Sequence, residues 1–332
     1  HEERDESAGE ACTSHAITLG RAAGRLSLSP VKVRIGFGLG TQGLPGGQAA
    51  FLRLVDDLER LRFDSLWLSE RASSSAPDPL IGLAIAAGRT ERIKLGTSVL
   101  VVPGRNPALL AKELASLDVL SGGRLLPAIG LGGIDPKEQQ AFGVARKERA
   151  AWFDEAVPLI RRFWSGEAVT YESERFRYEE LRIGPVPVQQ PPDMWLGGAA
   201  PSELRRVGRL GDGWLPSFTT PADAAAGRVM VEEAAETAGR TMDPEHWGPL
   251  IVYSRGQLDE RLGALAELRR PGRDPRELFP QGLDELCDRI EEFVEVGFSK
   301  FVLICGSRPE DLTRELEELA AAVLPLQDRL SK

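Results

Sequence analysis

The sequence is short of the side chains that carry polar chemistry unaided. It has three histidines, His1, His15 and His246, and three cysteines, Cys12, Cys287 and Cys305. No His/Asp/Glu cluster shows metal-ligand spacing, so no metal centre is expected. No Gly-x-Ser-x-Gly elbow and no P-loop occur, so the scaffolds of a serine hydrolase and of a phosphate-cradling nucleotidase are missing. No Gly-x-Gly-x-x-Gly opens the first helix-like stretch, so a dinucleotide fold lacks its fingerprint. No cysteine belongs to a Cys-x-x-Cys pair. Cys305 stands in an apolar run and reads as a buried structural thiol. A sparse, odd set of thiols fits a reducing cytosol, so a cytoplasmic location is expected. No run of about 18 apolar residues exists, so no membrane span is expected. The formal net charge of -9 offers no broad basic face for nucleic acid and favours solubility. A local basic pocket for a charged ligand remains compatible with it.

What is present is an ordinary globular composition, 42% hydrophobic and 27% charged. Residues 1–30 stand apart, acidic at first and then rich in Ala, Gly, Arg and Ser. They lack the apolar core of a secretory signal and read as a poorly ordered extension. From residue 31 to 332 a rhythm of short β-branched runs and longer helical stretches sets in. Strands are expected at 33–39, 65–70, 93–100, 125–132, 194–198, 213–218, 246–254 and 300–305. Helices are expected at 47–62, 78–89, 106–121, 149–164, 201–210, 222–238, 258–268, 283–296 and 309–326. Phe51, Leu54, Val55, Leu58 and Leu61 have the spacing of one helix face. Asp78-Pro79 and Asn106-Pro107 pair a capping side chain with a first-turn proline. The Asp135-Pro136 segment and 271–280 read as loops, and 166–192 as a hairpin or extended insertion.

Strict alternation of strand and helix means a parallel sheet with right-handed crossovers. Eight strands favour closure into an α/β fold of the (β/α)8 TIM-barrel type, which takes roughly 250 residues and tolerates insertions. An open, doubly wound sheet is the alternative. Residues 31–332 then form a single barrel domain.

In such a barrel the site lies at the C-terminal ends of the strands. The second strand ends Ser69-Glu70-Arg71, the third runs through Ser98-Val99 to Arg105, and the fourth ends Gly130-Leu131-Gly132-Gly133. Glu70 is a strand-end carboxylate whose pKa desolvation would raise toward acid/base use; Arg71 could instead hold it ionised. Gly197-Gly198-Ala199 precedes a helix start, where free N–H groups and the dipole suit a phosphate. A tight turn needing glycine for geometry alone is the alternative. His246 opens a strand, at the end away from such a site. With neither nucleophile nor metal, a cofactor carrying the reactive atom is the economical expectation.

Three stretches, taken in order, resemble a known family. They are Ile93-Lys94-Leu95-Gly96-Thr97-Ser98-Val99-Leu100 with Arg105-Asn106-Pro107, then Glu138-Gln139-Gln140-Ala141-Phe142-Gly143 with Arg149 and Trp164, then Trp195-Leu196-Gly197-Gly198 with Arg205-Arg206 and Leu210-Gly211-Asp212-Gly213-Trp214-Leu215-Pro216. Together these resemble the luciferase-like monooxygenase superfamily, in particular its branch using coenzyme F420, a deazaflavin. The resemblance implies a non-proline cis peptide at Ser98-Val99, a cofactor site that includes Ser69, Ser98 and Val99, and a phosphate held at Gly197, Gly198 and Ala199. It implies an enzyme that moves hydride between C5 of the deazaflavin and a small organic substrate, with Glu70 as the remaining acid/base candidate. Arg71 or Arg105 would bind an anionic substrate or the polyglutamate tail of the cofactor. Relatives often pair as homodimers. This chain departs from the family's sugar-phosphate dehydrogenase. That enzyme has an Asp-His pair after the second strand and a Glu after the fourth; here Ser69-Glu70-Arg71 and Gly133 stand there. The rivals are an FMN-dependent monooxygenase on the same barrel and a non-catalytic flavin-binding barrel.

Overall fold

A computed structural model describes residues 31–133, 135–307 and 309–331. The expected N-terminal extension, with His1, Cys12 and His15, lies outside the described residues.

The chain opens with β1 (Arg34–Gly38) and α1 (Gly47–Leu61), whose Phe51, Leu54, Val55 and Leu58 are buried as their spacing requires. Next come β2 (Ser65–Leu68), α2 (Pro79–Ala87), β3 (Lys94–Thr97), β4 (Leu100–Val101) and α3 (Pro107–Leu120). The Asp78 carboxylate accepts the Leu80 N–H at 2.9 Å, and the Asn106 side chain accepts that of Ala108 at 2.9 Å, so both expected caps form. Then follow β5 (Leu125–Leu126), β6 (Ala128–Gly130), α4 (Pro136–Phe142) and α5 (Arg149–Trp164). The insertion is an antiparallel hairpin of β7 (Val169–Glu172) and β8 (Arg177–Leu181). The second half runs β9 (Trp195–Leu196), α6 (Pro201–Leu210), β10 (Gly213–Trp214), α7 (Pro221–Thr237), β11 (Leu250–Tyr253), α8 (Glu260–Arg269), α9 (Pro275–Leu278), α10 (Leu283–Glu295), β12 (Lys300–Cys305), α11 (Leu312–Val323) and α12 (Pro325–Leu330).

Parallel pairing runs in the order β11, β12, β1, β2, β3, β5 in one sheet and β10, β9, β6, β4 in another. The two are one wall, because β3 continues into β4 and β5 into β6. On the opposite side, parallel bridges Trp214–Trp247 and Ser217–Leu250 join the β10 stretch to the β11 stretch. The eight expected strand positions therefore stand in a ring, a (β/α)8 arrangement, with the third and fourth each broken in two. The third breaks at the cis peptide Ser98–Val99. The fourth breaks at Pro127, which has no N–H to give a ladder.

Several boundaries differ from expectation for local reasons. The seventh strand begins at Leu250, not at His246, because Pro249 interrupts the ladder before it. The two segments read as loops contain short helices, α4 and α9. Each starts on an Asp-Pro pair, whose Asp135 and Asp274 side chains accept N–H groups two residues on. Seven and four residues are too few to show a helical apolar period. The last expected helix is two, split at Leu324–Pro325.

The ring is filled, not hollow. Trp67, Trp195, Leu126, Ala128, Leu215 and Val302 form an inner cluster. A Cβ built on Gly96 would lie 2.2 Å from the Trp67 ring, and one on Gly213 2.4 Å from the Trp195 ring. Glycine on neighbouring strands is the space that these indoles occupy. A larger core lies between the strands and the surrounding helices.

Candidate active site

The inner cluster closes the barrel from below. Above it, the loops after the strands enclose a cavity of about 680 Å3 at the C-terminal ends. All the expected site residues except Arg105 line it: Ser69, Glu70, Arg71, Ser98, Val99, and the turn Gly197-Gly198-Ala199.

Two residues after β2 lace the break in the third strand. The Ser69 hydroxyl donates to the Ser98 carbonyl at 2.9 Å and meets the Ser98 Oγ at 3.1 Å. The Glu70 N–H donates to the Val99 carbonyl at 3.3 Å. The Val101 N–H donates to Glu70 Oε2 at 2.6 Å, and the Arg105 guanidinium donates to Glu70 Oε1. Arg71, the alternative partner for Glu70, is thus not bonded to it. Arg71 faces Glu138, with Nε 3.8 Å from Oε2. Arg105 stands behind Glu70, outside the cavity lining, because its backbone turns into α3 there. Burial pushes the Glu70 carboxyl above its ordinary range; the Val101 N–H and Arg105 pull the other way and do not offset it.

Val99 leans on two glycines. A Cβ on Gly130 would sit 2.7 Å from its Cγ2, and one on Gly197 3.2 Å from its Cγ1. The glycines leave room for the Val99 side chain, so Val99 shapes this part of the cavity wall, which suits one face of a flat ring.

The Gly197-Gly198 turn has the expected backbone but not the expected free donors. Gly198 has φ +107°, in a region that L side chains rarely adopt. The Ala199 and Ala200 N–H groups both donate to Glu203 Oε2, at 3.0 and 2.9 Å. An acidic side chain in the first turn of α6 reaches back to its own N-terminus, as a capping box does. Its signal in the sequence was the Glu three residues after Ala200. A ligand phosphate gains these donors only when the carboxylate turns away. One turn on, Arg206 lines the same cavity with its Nε bonded to Asp154 Oδ1.

Four further lining residues, Glu138, Phe218, Arg269 and Arg270, escaped sequence reasoning. Glu138, on the unexpected α4, is buried and accepts the Ala72 N–H at 2.9 Å. Phe218, after β10, adopts φ +54°. The Arg270 Nε donates to its carbonyl at 2.8 Å, and the Arg269 guanidinium carbon lies 5.5 Å from its ring centroid. These contacts join residues about fifty positions apart, which no local pattern announces. His246 lies away from the cavity. Its Nδ1 is 2.9 Å from the Asp212 carbonyl and its ring tilts against Trp195. Cys305 is buried, and burial pushes its thiol up to about 11, so it is no thiolate at neutral pH.

The cavity thus offers a shaped wall, an anion-compatible turn and several guanidinium groups. Among the described residues no cluster of His, Cys, Asp and Glu could hold a metal ion. No described helix is long and apolar enough to cross a membrane. A flat redox cofactor with a phosphate fits this wall at Val99, whose two neighbours are free of side chains, and at the Gly198 turn once Glu203 releases the Ala199 N–H.

Known proteins resemble this chain in sequence and in fold. The family described as luciferase-like monooxygenase matches residues 32–320. The F420-dependent glucose-6-phosphate dehydrogenase of Intrasporangium calvum is 29% identical, over 80% of this chain and 91% of its own. An F420-dependent secondary alcohol dehydrogenase, solved with an F420-acetone adduct, superposes with TM-score 0.75 at 20% identity, over 88% of this chain and 98% of its own. The monooxygenase RslO1 from Streptomyces bottropensis gives TM-score 0.72 at 24% identity, over 88% and 99%. The last two likenesses concern the fold.

Proposed function

The chain belongs to the luciferase-like monooxygenase family, and on that premise we propose that it is an oxidoreductase dependent on coenzyme F420. The observation that carries this reading is the cavity shared by the Ser98–Val99 bulge and the Gly197-Gly198 turn. The F420 dependence of similar curated dehydrogenases supports it. When bound, the deazaflavin would exchange hydride with an organic substrate, and the protein would supply placement and electrostatics.

The chain's own residues divide that work. Val99 supports one face of the ring, and Ser69 holds Ser98 in place. Glu70 and Arg105 tie the bulge to the second strand and to α3. Gly198 would let the backbone approach the phosphate. Glu203 must release the Ala199 N–H for that contact. Burial raises the Glu70 pKa, and Glu70 is our candidate for moving a proton. The sugar-phosphate activity is not carried over, because Ser69-Glu70-Arg71 and Gly133 replace that enzyme's proton-handling residues.

Two coarser features complete the proposal. Ile81 and Ile85 on α2, with Leu109 and Leu120 on α3, are exposed large apolar residues on helices that pack together. They support a homodimer formed across this face. Among the described residues Cys287 and Cys305 are unpaired, which fits a cytoplasmic location.

Fluorescence titration with F420 and, separately, with FMN tests the cofactor assignment. F420 should bind at least about tenfold tighter, or 1.4 kcal/mol. Tight FMN binding without F420 binding would favour a monooxygenase instead.

A further inference from the structure

Five arginines line the cavity: Arg71, Arg206, Arg261, Arg269 and Arg270. Three are committed to the protein. Arg206 bonds Asp154, Arg261 the Gly306 carbonyl, and Arg270 the Phe218 carbonyl. The other two keep their donors. Arg71 approaches Glu138 only to 3.8 Å. Among the described residues, Arg269 has no carboxylate within salt-bridge distance and no hydrogen-bond acceptor. It is held by the Phe218 ring alone, at 5.5 Å.

The two guanidinium groups act on each other. Desolvation lowers the Arg269 pKa most, the charge of Arg71 lowers it further, and Glu138 opposes both. Two cations face Glu138, whose carboxylate already accepts the Ala72 N–H. Phe218, which carries Arg269, is a non-glycine residue at φ +54°, a strained conformation that persists where surroundings enforce it. The surroundings here are the Arg270 bond and an edge-on contact with Phe279 at 6.0 Å.

The rest of this wall is apolar. α8 presents Leu265 and Leu268 to the cavity beside Arg269, and Val252 and Ile304 lie next to them. Leu268 is 57% exposed within the open cavity. A polyhydroxylated ligand would find few partners among these side chains, whereas a hydrocarbon body would bury their surface.

We propose that Arg269 and Arg71 seat the anionic end of an amphipathic substrate, a carboxylate or phosphate on a hydrocarbon body that lies along α8. Calling that ligand the substrate rests on the oxidoreductase reading; the seat itself does not. The cofactor's own acidic tail is the other source of an anion, and the test separates the two.

Decanoate, decanol and glucose 6-phosphate serve as probes, with binding read by calorimetry on the wild type, R269Q, R269K and R71Q, and F420 titrated on each. The expected result is that decanoate binds the wild type about tenfold tighter than decanol. R269Q and R71Q should erase that preference, R269K should keep most of it, and F420 affinity should not change. Equal binding of decanoate and decanol to the wild type overturns the seat. So does a preference that survives R269Q. Tighter binding of glucose 6-phosphate than of decanoate overturns the amphipathic class. A parallel loss of F420 affinity in R269Q gives the seat to the cofactor tail and overturns the substrate assignment. Decanoate preference lost in R269Q, with no F420 binding to any form, supports the seat and removes only the cofactor reading.

Discussion

Glu203 Oε2 accepts the Ala199 N–H at 3.0 Å, inside the turn that would hold a cofactor phosphate. The protein therefore carries an anion of its own in that seat. E203Q keeps an acceptor for the helix start but removes the like charge that a phosphate would meet. F420 should bind E203Q about tenfold tighter than the wild type, with an unchanged fold by circular dichroism. Weaker binding would mean that the Glu203 carboxylate does not compete for the turn.

Glu70 should couple stability to pH with a definite sign. Its folded carboxyl holds a proton more tightly than the free side chain, because burial outweighs its partners. The contribution is complete below the ordinary carboxyl value and falls as pH rises through the raised folded value. E70Q does not titrate. The stability of the wild type relative to E70Q, from urea unfolding, should thus decline with rising pH across that window. A rise would contradict the assignment.

E70Q also separates two duties. It weakens the tie to Arg105, a pair whose side chains are 9% and 26% exposed, so a loss of about 2 kcal/mol is expected. A carboxyl that moves the proton predicts in addition a fall in kcat beyond about tenfold with cofactor affinity kept. A carboxyl that only braces the bulge predicts weaker cofactor binding and a nearly unchanged kcat.

The barrel interior should resist a single methyl group. G96A places a Cβ 2.2 Å from the Trp67 ring. Overpacking of this kind costs about 1–3 kcal/mol. Denaturant midpoints would register it, and a neutral result would mean that Trp67 does not fill the space beside β3.

The α2–α3 face should govern assembly. Ile81 is 64% and Leu109 61% exposed. The double variant I81E/L109E should run as a monomer by light scattering while the wild type runs as a dimer. A wild-type monomer would leave this face without a partner of its own kind.

Much of this architecture was legible in the residues. The bounds of α5, α6 and β12 coincide with the sequence reading, because their apolar patterns are local. The strand ends that form the cavity were legible too, since each closes on small or polar residues. α4 and α9 were not, because so few residues carry no period and only the Asp-Pro caps mark them. Glu203 was readable in principle as an acid in a first helical turn. Arg269 over Phe218 was not: a guanidinium on α8 meets a ring after β10 only once the barrel is closed. The same nonlocality gave Glu70 the partner Arg105, thirty-five residues on, in place of its neighbour Arg71.

The central claim is that one cofactor spans the Ser98–Val99 bulge and the Gly197-Gly198 turn. A crystal structure of the protein soaked with F420 tests it most directly. The account predicts ring density against Val99, phosphate density at the Gly198 turn, and the Glu203 carboxylate rotated off the Ala199 N–H. Phosphate density elsewhere in the cavity, with Glu203 still bonded to Ala199, would contradict it.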